Sequence, residues 1–119
     1  MAVDVPDNWV AAYCLARPGA WPDEPWDGDV VAKVGPRDKG KIFAFFGNGS
    51  SVGLKCGTRE EADELVARYP DDVQPMAYIG RHGWNTVRIG GAVPDDELVE
   101  LAETSYDEVV AKLPRAQRP

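Results

Sequence analysis

The sequence has few of the features that mark special classes of protein. Its 119 residues contain no apolar run near the roughly 20 residues that a bilayer-spanning helix needs, so we expect no membrane partner. Its two cysteines, Cys14 and Cys56, fit neither a disulfide framework nor a metal-site spacing. Both lie in apolar patterns, which predicts buried free thiols. The first residues lack the basic and apolar segments of a signal peptide, and we therefore expect a cytoplasmic protein.

Patterns that indicate catalysis are also scarce. The single histidine, His82, lies in a glycine-flanked turn, where an exposed turn residue is favoured over a ligand or phosphate contact beside Arg81. Acidic pairs such as Asp95-Asp96 occur where helix caps and loops are expected. The glycine-rich segment 47–53 lacks the Gly-Lys-Ser/Thr of a phosphate-binding loop. We therefore predict a protein that is not an enzyme and that holds no cofactor and no metal ion.

Charge is unevenly distributed along the chain. The net charge of -7 repels phosphate at long range, so any binding to DNA is expected to be weak. The bases nevertheless concentrate between residues 33 and 55, where Asp38 is the one acid, and again near residues 81–88, while the other acids lie elsewhere. The candidate nucleic-acid contacts are Lys33, Arg37, Lys39, Lys41, Lys55, Arg81, His82 and Arg88.

Periodicity and turn residues predict three helices and five strands in the order α-β-β-β-α-β-β-α. The helices are predicted to begin after Asp7 or Asn8, after Thr58 and after Pro94. The strands are predicted at 30–34, 41–46, 51–56, 76–79 and 85–89. Short connections make neighbouring strands antiparallel. This order predicts one two-layer α+β domain over residues 1–113, with a five-stranded antiparallel sheet, helices on one face, and a flexible tail at 114–119.

The proline-rich segment 21–28 is predicted to be a loop, because prolines at 18, 22 and 25 exclude a helix. It carries Trp21 and Trp26, which either pin the segment to the core or clamp a ligand; pinning is the favoured interpretation.

Alternation of side chains divides the predicted sheet into two faces. One is almost wholly apolar and should meet the helices: Val30, Ala32, Val34, Ile42, Ala44, Phe46, Val52, Leu54, Cys56, Val87 and Ile89. The other mixes bases with aromatics: Val31, Lys33, Lys41, Phe43, Phe45, Ser51, Gly53, Lys55, Trp84, Thr86 and Arg88. Bases and rings on an open sheet are typical of single-strand platforms, with Phe43, Phe45 and Trp84 as stacking residues. A homodimer interface is the alternative for such a face, and strand lysines also prevent aggregation.

Several short motifs, in order along nearly the whole chain, resemble those of the MmcQ/YjbR family of small bacterial proteins. They are CLARPGA (14–20), EPW (24–26), KVG (33–35), GKIFA (40–44), LKC (54–56), RYP (68–70), WNTV (84–87) and SYDEVV (105–110). The resemblance implies a fold like that of type III secretion chaperones, α-β(3)-α-β(2)-α, and no established enzymatic activity. It also implies a "DNA-binding" label, from a double-wing arrangement in which two β-hairpins hold a duplex. Here the wings would be the turns at 35–40 and 80–83.

Two function hypotheses follow. The first is weak or regulatory nucleic-acid binding, which rests mainly on the resemblance. The alternative is a module that binds a protein, a peptide or a small molecule through the bare sheet face or through the segment of Trp21 and Trp26.

Overall fold

The computed structural model describes residues 3–119, which form three α-helices and a six-stranded antiparallel sheet. The predicted α+β class is confirmed, although the sheet has six strands rather than five. The elements are α1 (Trp9–Leu15), β1 (Ala20–Trp26), β2 (Asp29–Val34), β3 (Lys41–Phe45), β4 (Ser51–Lys55), α2 (Arg59–Arg68), β5 (Val73–Pro75), β6 (Trp84–Arg88) and α3 (Asp95–Lys112). Single 3-10 turns occupy Gly80–His82 and Arg115–Gln117.

The helices begin where the local sequence predicts. The side chain of Asn8 accepts a hydrogen bond of 2.8 Å from the Ala11 amide at the start of α1. Thr58 and Glu61 form the reciprocal capping box of α2, which satisfies two amides that the helix itself leaves free. Three acidic residues occupy the first turn of α3 and Lys112 the last, so both ends complement the helix dipole.

The prediction of a loop at 21–28 is wrong, because residues 20–26 form strand β1. Two prolines are compatible with this strand because β1 lies at the edge of the sheet and needs hydrogen bonds only towards β2. The pairing is regular from Ala20 to Asp23 and then shifts before Trp26, around the second proline. Proline content therefore excluded a helix correctly but did not exclude an edge strand.

The predicted strand at 76–79 is displaced. The strand is β5, Val73–Pro75, and the chain then leaves the sheet: Tyr78 takes a left-handed backbone conformation with φ of 64°. Met76 instead packs over β4, since an added Cβ on Gly53 would lie 2.7 Å from the Met76 sulfur. The apolar run at 76–79 thus covers the sheet rather than extending it.

The strands are ordered β1-β2-β3-β4-β6-β5, and all neighbouring pairs are antiparallel. One end of the sheet holds the β2–β3 turn (35–40), the β4–α2 connection (56–58) and the β5–β6 connection (76–83); we call it the basic end. The opposite end, which holds the turns at 27–28 and 46–50, is called the acidic end.

All three α-helices pack on one face of the sheet, as predicted, and the hydrophobic core lies between the helices and the sheet. The alternation of side chains between the two faces of the sheet fails at one place in β3. The register shifts between β2 and β3, so that Ala32 pairs with Ala44 while Lys33 pairs with Ile42. The extra residue, Phe43, is fully buried and packs edge-on against Tyr106 of α3, with ring centroids 5.3 Å apart. The assignment of Phe43 to the helix-free face is therefore wrong, because a β-bulge reverses its direction.

The C-terminal residues fold back on α3. The guanidinium of Arg118 donates hydrogen bonds of 2.9 Å to the carbonyls of Leu113 and Ala111, which the helix end leaves free. The flexibility predicted for residues 114–119 stays a prediction. None of the helices formed by residues 3–119 is long and apolar enough to cross a membrane.

Candidate functional site

The 35–40 turn presents three bases at the basic end. Arg37, Lys39 and Lys41 are exposed, and within residues 3–119 none of them forms an ion pair. Trp21 holds this turn in place, because its indole N–H donates a 2.9 Å hydrogen bond to the Gly35 carbonyl. The Arg37 guanidinium lies 4.6 Å from the Trp21 ring centroid, in cation–π contact. Trp21 is therefore a platform that fixes the turn and its arginine.

Trp26, at the other end of the same strand, is 58% exposed. The favoured prediction is that both indoles pin the segment 21–28 to the core. Trp21 is half-buried and bonds to the 35–40 turn rather than packing on the buried core, and for the exposed Trp26 the prediction is wrong. The indole N–H of Trp26 has no hydrogen-bond partner among residues 3–119.

The β5–β6 connection brings two more of the candidate residues to the basic end. Arg81 and His82 are exposed on the 3-10 turn, and the Arg81 Nε donates to the His82 ring at 3.3 Å. The turn is anchored by Gly83, which has φ of 91° and would place a Cβ 2.2 Å from the Gly57 carbonyl oxygen. Only glycine fits there, so this connection is tightly joined to the start of α2.

The remaining predicted bases are placed differently. Lys33 is bonded to Asp23 at 2.7 Å, and this pairing is the main cause that lowers the pKa of the Asp23 carboxyl. The Lys55 ammonium donates to the Gly57 carbonyl and lies 3.9 Å from Glu108. Arg88 lies at the acidic end, 3.7 Å from Asp72. These three bases do not join Arg37, Lys39, Lys41 and Arg81 in one unpaired group.

Ser105 of α3 joins β3 to β4 where the two strands separate. Their ladder ends at the pair Ala44 and Leu54. Beyond it, the buried Ser105 hydroxyl accepts from the Lys55 amide at 2.9 Å and donates to the Phe43 carbonyl at 2.6 Å. The sequence shows this serine within an apolar helical stripe, but nothing in the local pattern reveals its role as a bridge.

The separation of β3 and β4 leaves a cavity of about 140 Å³ beside α3. Lys41, Lys55 and Lys112 line it together with Glu108, one of whose carboxylate oxygens is buried without a hydrogen-bond partner in residues 3–119. Lys112 is not among the candidate bases that the sequence predicts. The structure places it beside Lys41 at the basic end.

The helix-free face carries a second, larger cleft towards the acidic end, with a volume of about 560 Å³. Its floor includes Phe45 of β3, which packs edge-on against Trp84 with ring centroids 5.7 Å apart. The segment 76–79 forms one wall and Trp26 the opposite rim. This segment covers part of the face predicted to be bare, which leaves less flat area for a homodimer contact.

Both thiols are buried, as predicted. Desolvation raises the pKa of Cys14 to about 12 and that of Cys56 to about 11, although Arg17 and Lys55 act in the opposite direction. A thiol with such a high pKa is a poor nucleophile at neutral pH.

Comparison with known proteins is consistent with this arrangement. The YjbR family model matches residues 15–108. A protein named YjbR from Escherichia coli K12 is 32% identical over 111 residues, covering 89% of this chain and 88% of the relative. The chain belongs to the YjbR family. The resemblance noted from the short motifs is thereby confirmed.

Solved structures support the fold of this YjbR-family chain. Protein DR2400 of Deinococcus radiodurans, of the domain family DUF419, superposes with a TM-score of 0.80 at 28% identity, over 89% of this chain and 80% of that one. A protein from Pseudomonas syringae superposes with a TM-score of 0.64 at 19% identity, over 82% and 93% of the two chains. The second likeness concerns the fold alone.

Proposed function

We propose that this protein is a non-enzymatic binding domain that contacts nucleic acid, weakly, through its basic end. The observation that carries the proposal is the position of the two connections that the family resemblance assigns as wings. The 35–40 turn and the 76–83 connection leave the sheet at the same end, and each presents exposed bases.

The spacing of the two connections fits a duplex groove. The centre of the β2–β3 pair and the centre of the β6–β5 pair are three strand positions apart. At about 4.8 Å per strand this separation is about 14 Å. The major groove of B-DNA is about 12 Å wide, so bases on the two connections can reach phosphates on both sides of one groove.

The net charge of the protein is -7, and a contact with nucleic acid therefore depends on how basic and acidic residues are distributed over its surface. The basic end presents five bases without an ion pair in the described part of the chain: Arg37, Lys39, Lys41, Arg81 and Lys112. Acidic residues collect at the opposite end, in the first turn of α3 and at 71–72, although Asp38 lies in the 35–40 turn and Glu60 and Glu61 begin α2 at the basic end. A duplex is therefore repelled by the acidic end and only partly attracted by the basic end, which favours a defined orientation but low affinity.

The proposal is tested by titrating labelled duplex at several salt concentrations. Five phosphate contacts predict a log-log salt slope of about -4.5, since each contact releases about 0.9 counterion. Arg81→Ala should make the slope shallower by about 0.9 and weaken all sequences alike. Arg88→Ala is the matched control, because it removes the same charge from an exposed side chain at the acidic end.

Absence of duplex binding at low salt would disprove the proposal, and so would an equal loss from the two arginine variants. Stronger binding of single strands would instead favour the sheet face, on which Phe45 and Trp84 remain as stacking candidates while Phe43 is buried.

A further inference from the structure

The cleft on the helix-free face shares the segment 76–79 with one of the two connections proposed to contact nucleic acid, but none of the exposed bases lines it. It crosses the sheet towards the acidic end, whereas the exposed bases lie at the basic end. Its volume of about 560 Å³ falls within the roughly 300–1,000 Å³ that is typical of small-molecule sites. The cleft thus has the size of a separate ligand site.

Three aromatic rings line the cleft. Phe45 forms part of the floor, Trp26 stands at the rim beside the β1–β2 turn, and Tyr78 stands on the opposite wall. Trp26 is 58% exposed and Tyr78 is 93% exposed, so neither ring is engaged by the protein's own core. Rings left exposed around a concave surface are available to cover a ligand.

Tyr78 is held in an unfavourable conformation as well. Its φ of 64° is the only positive value among non-glycine residues in the described part of the chain. This left-handed conformation is costly for a residue with a Cβ. Since the exposed ring makes no compensating contact within residues 3–119, the conformation serves to place the ring at the edge of the cleft.

The electrostatics of the cleft select one kind of ligand. Asp29 is the only charged residue that lines it, and its carboxylate has no hydrogen bond or ion pair within residues 3–119. The faces of aromatic rings also carry partial negative charge and attract cations. A carboxylate and three rings therefore favour a positive group.

We propose that this cleft binds an organic cation, in which an ammonium or comparable group is attached to an apolar body. The positive group lies against Asp29 and Trp26, and the body extends over Phe45 towards Met76. Gly53 lets Met76 lie close to the sheet as a wall of the cleft, because an added Cβ would lie 2.7 Å from the Met76 sulfur and 3.1 Å from the Phe45 Cβ.

Other ligand classes fit less well. A neutral apolar ligand would cover the Asp29 carboxylate without neutralising it, and an unpaired charge is costly to remove from water. An anion would meet the same carboxylate and the acidic end of the molecule. Of the three classes, only a cation is attracted by Asp29, the one charged residue that lines the cleft.

The test uses three soluble probes of similar shape: benzyltrimethylammonium, the net-neutral N-oxide of dimethylbenzylamine, and benzenesulfonate. Each is titrated while the indole N–H signals of the four tryptophans are followed by NMR, after assignment with Trp→Phe variants. The Trp26 signal should move, whereas that of Trp9, on α1 at the opposite face, should not. The cation should bind about fivefold more tightly than the N-oxide, as expected for one partly exposed ion pair.

Two aspartate variants distinguish binding at this site from a general effect of the protein's negative charge. Asp29→Asn should reduce the preference for the cation to less than about twofold, whereas Asp27→Asn, which removes the same charge outside the cleft, should leave it unchanged. Equal binding of the three probes, an equal effect of both variants, or no movement of Trp26 with any probe would each overturn the proposal. Duplex binding by Asp29→Asn should match that of the unchanged protein, since Asp29 lies at the acidic end, away from the exposed bases.

Discussion

At the basic end of the sheet the strand termini are tied down by side chains that bond to backbone, whereas around the cleft on the helix-free face two large aromatic side chains stand exposed. Trp21 holds the 35–40 turn, and Ser105 bridges β3 and β4. Trp26, at the acidic end, and Tyr78, in the segment that covers the helix-free face, contribute little to internal packing. The difference separates the residues that stabilise the fold from those that are available for a ligand.

The largest expected effect is at Ser105. Ser105→Ala leaves the Lys55 amide and the Phe43 carbonyl without their partner in a buried position. Each unsatisfied group costs about 1–3 kcal/mol, so the free energy of unfolding should fall by roughly 2–4 kcal/mol. Urea unfolding measures it. Ser51→Ala, at the acidic end of β4, should change stability by less than about 0.5 kcal/mol. A similar loss at both serines would contradict the comparison.

Alkaline pH should weaken the fold through two thiols, one of which, Cys56, directly follows β4 at the basic end. An unfolded thiol ionises near pH 9.0, while folded Cys14 and Cys56 resist ionisation to about pH 12 and about pH 11. The unfolded state therefore loses protons first, and stability that is present below about pH 9 is lost as pH rises towards 11. At pH 10 each thiol should contribute a loss of about 1.4 kcal/mol, so the two together should cost about 3 kcal/mol.

Chemical unfolding at a series of pH values tests this effect. The variant Cys14→Ala/Cys56→Ala should show a flatter dependence above pH 9. Some slope should remain, because burial also raises the pKa of Tyr13 and Tyr106. An unchanged slope would mean that the thiols are not its source.

The two tryptophans of β1 compare the ends directly. Trp21→Phe removes the indole N–H that bonds to Gly35 and reduces the surface beneath Arg37. It should lower the free energy of unfolding by about 1–1.5 kcal/mol. Trp26→Phe should change it by less than about 0.5 kcal/mol, because the ring is already exposed. If both variants lose the same amount, the exposed Trp26 has a structural role after all.

The smallest effect should be a gain of stability at Tyr78. Tyr78→Gly relieves the left-handed backbone, and we expect an increase of about 0.5–1 kcal/mol. Ala77→Gly is the control, since it introduces the same residue next door, where φ is negative, and should cost about 0.5 kcal/mol. A loss of stability in Tyr78→Gly would show that the ring makes contacts that stabilise the segment 76–79.

Several features of the site were accessible from sequence because they depend on local patterns. Glycines and bases define the 35–40 turn, and the motif content is specific enough to indicate the family. The sequence could not predict that Lys33 pairs with Asp23 while Arg37 forms no ion pair among the described residues, because this depends on the register of β1 on β2. Lys112 was not predicted to lie beside Lys41, because the two residues are distant in sequence.

The sequence by itself determined the α+β class, the three helices with their caps, the apolar helix-facing strand residues and the family. These properties follow from contacts between residues a few positions apart, whose periodicity is visible in one dimension. Only the tertiary structure decided that residues 20–26 form an edge strand, that Phe43 turns into the core, and that 76–79 folds over the sheet. Each of these features depends on which strand lies beside which, because the free energy of a bulge or of an edge position is set by the hydrogen bonds and packing of the neighbouring strand.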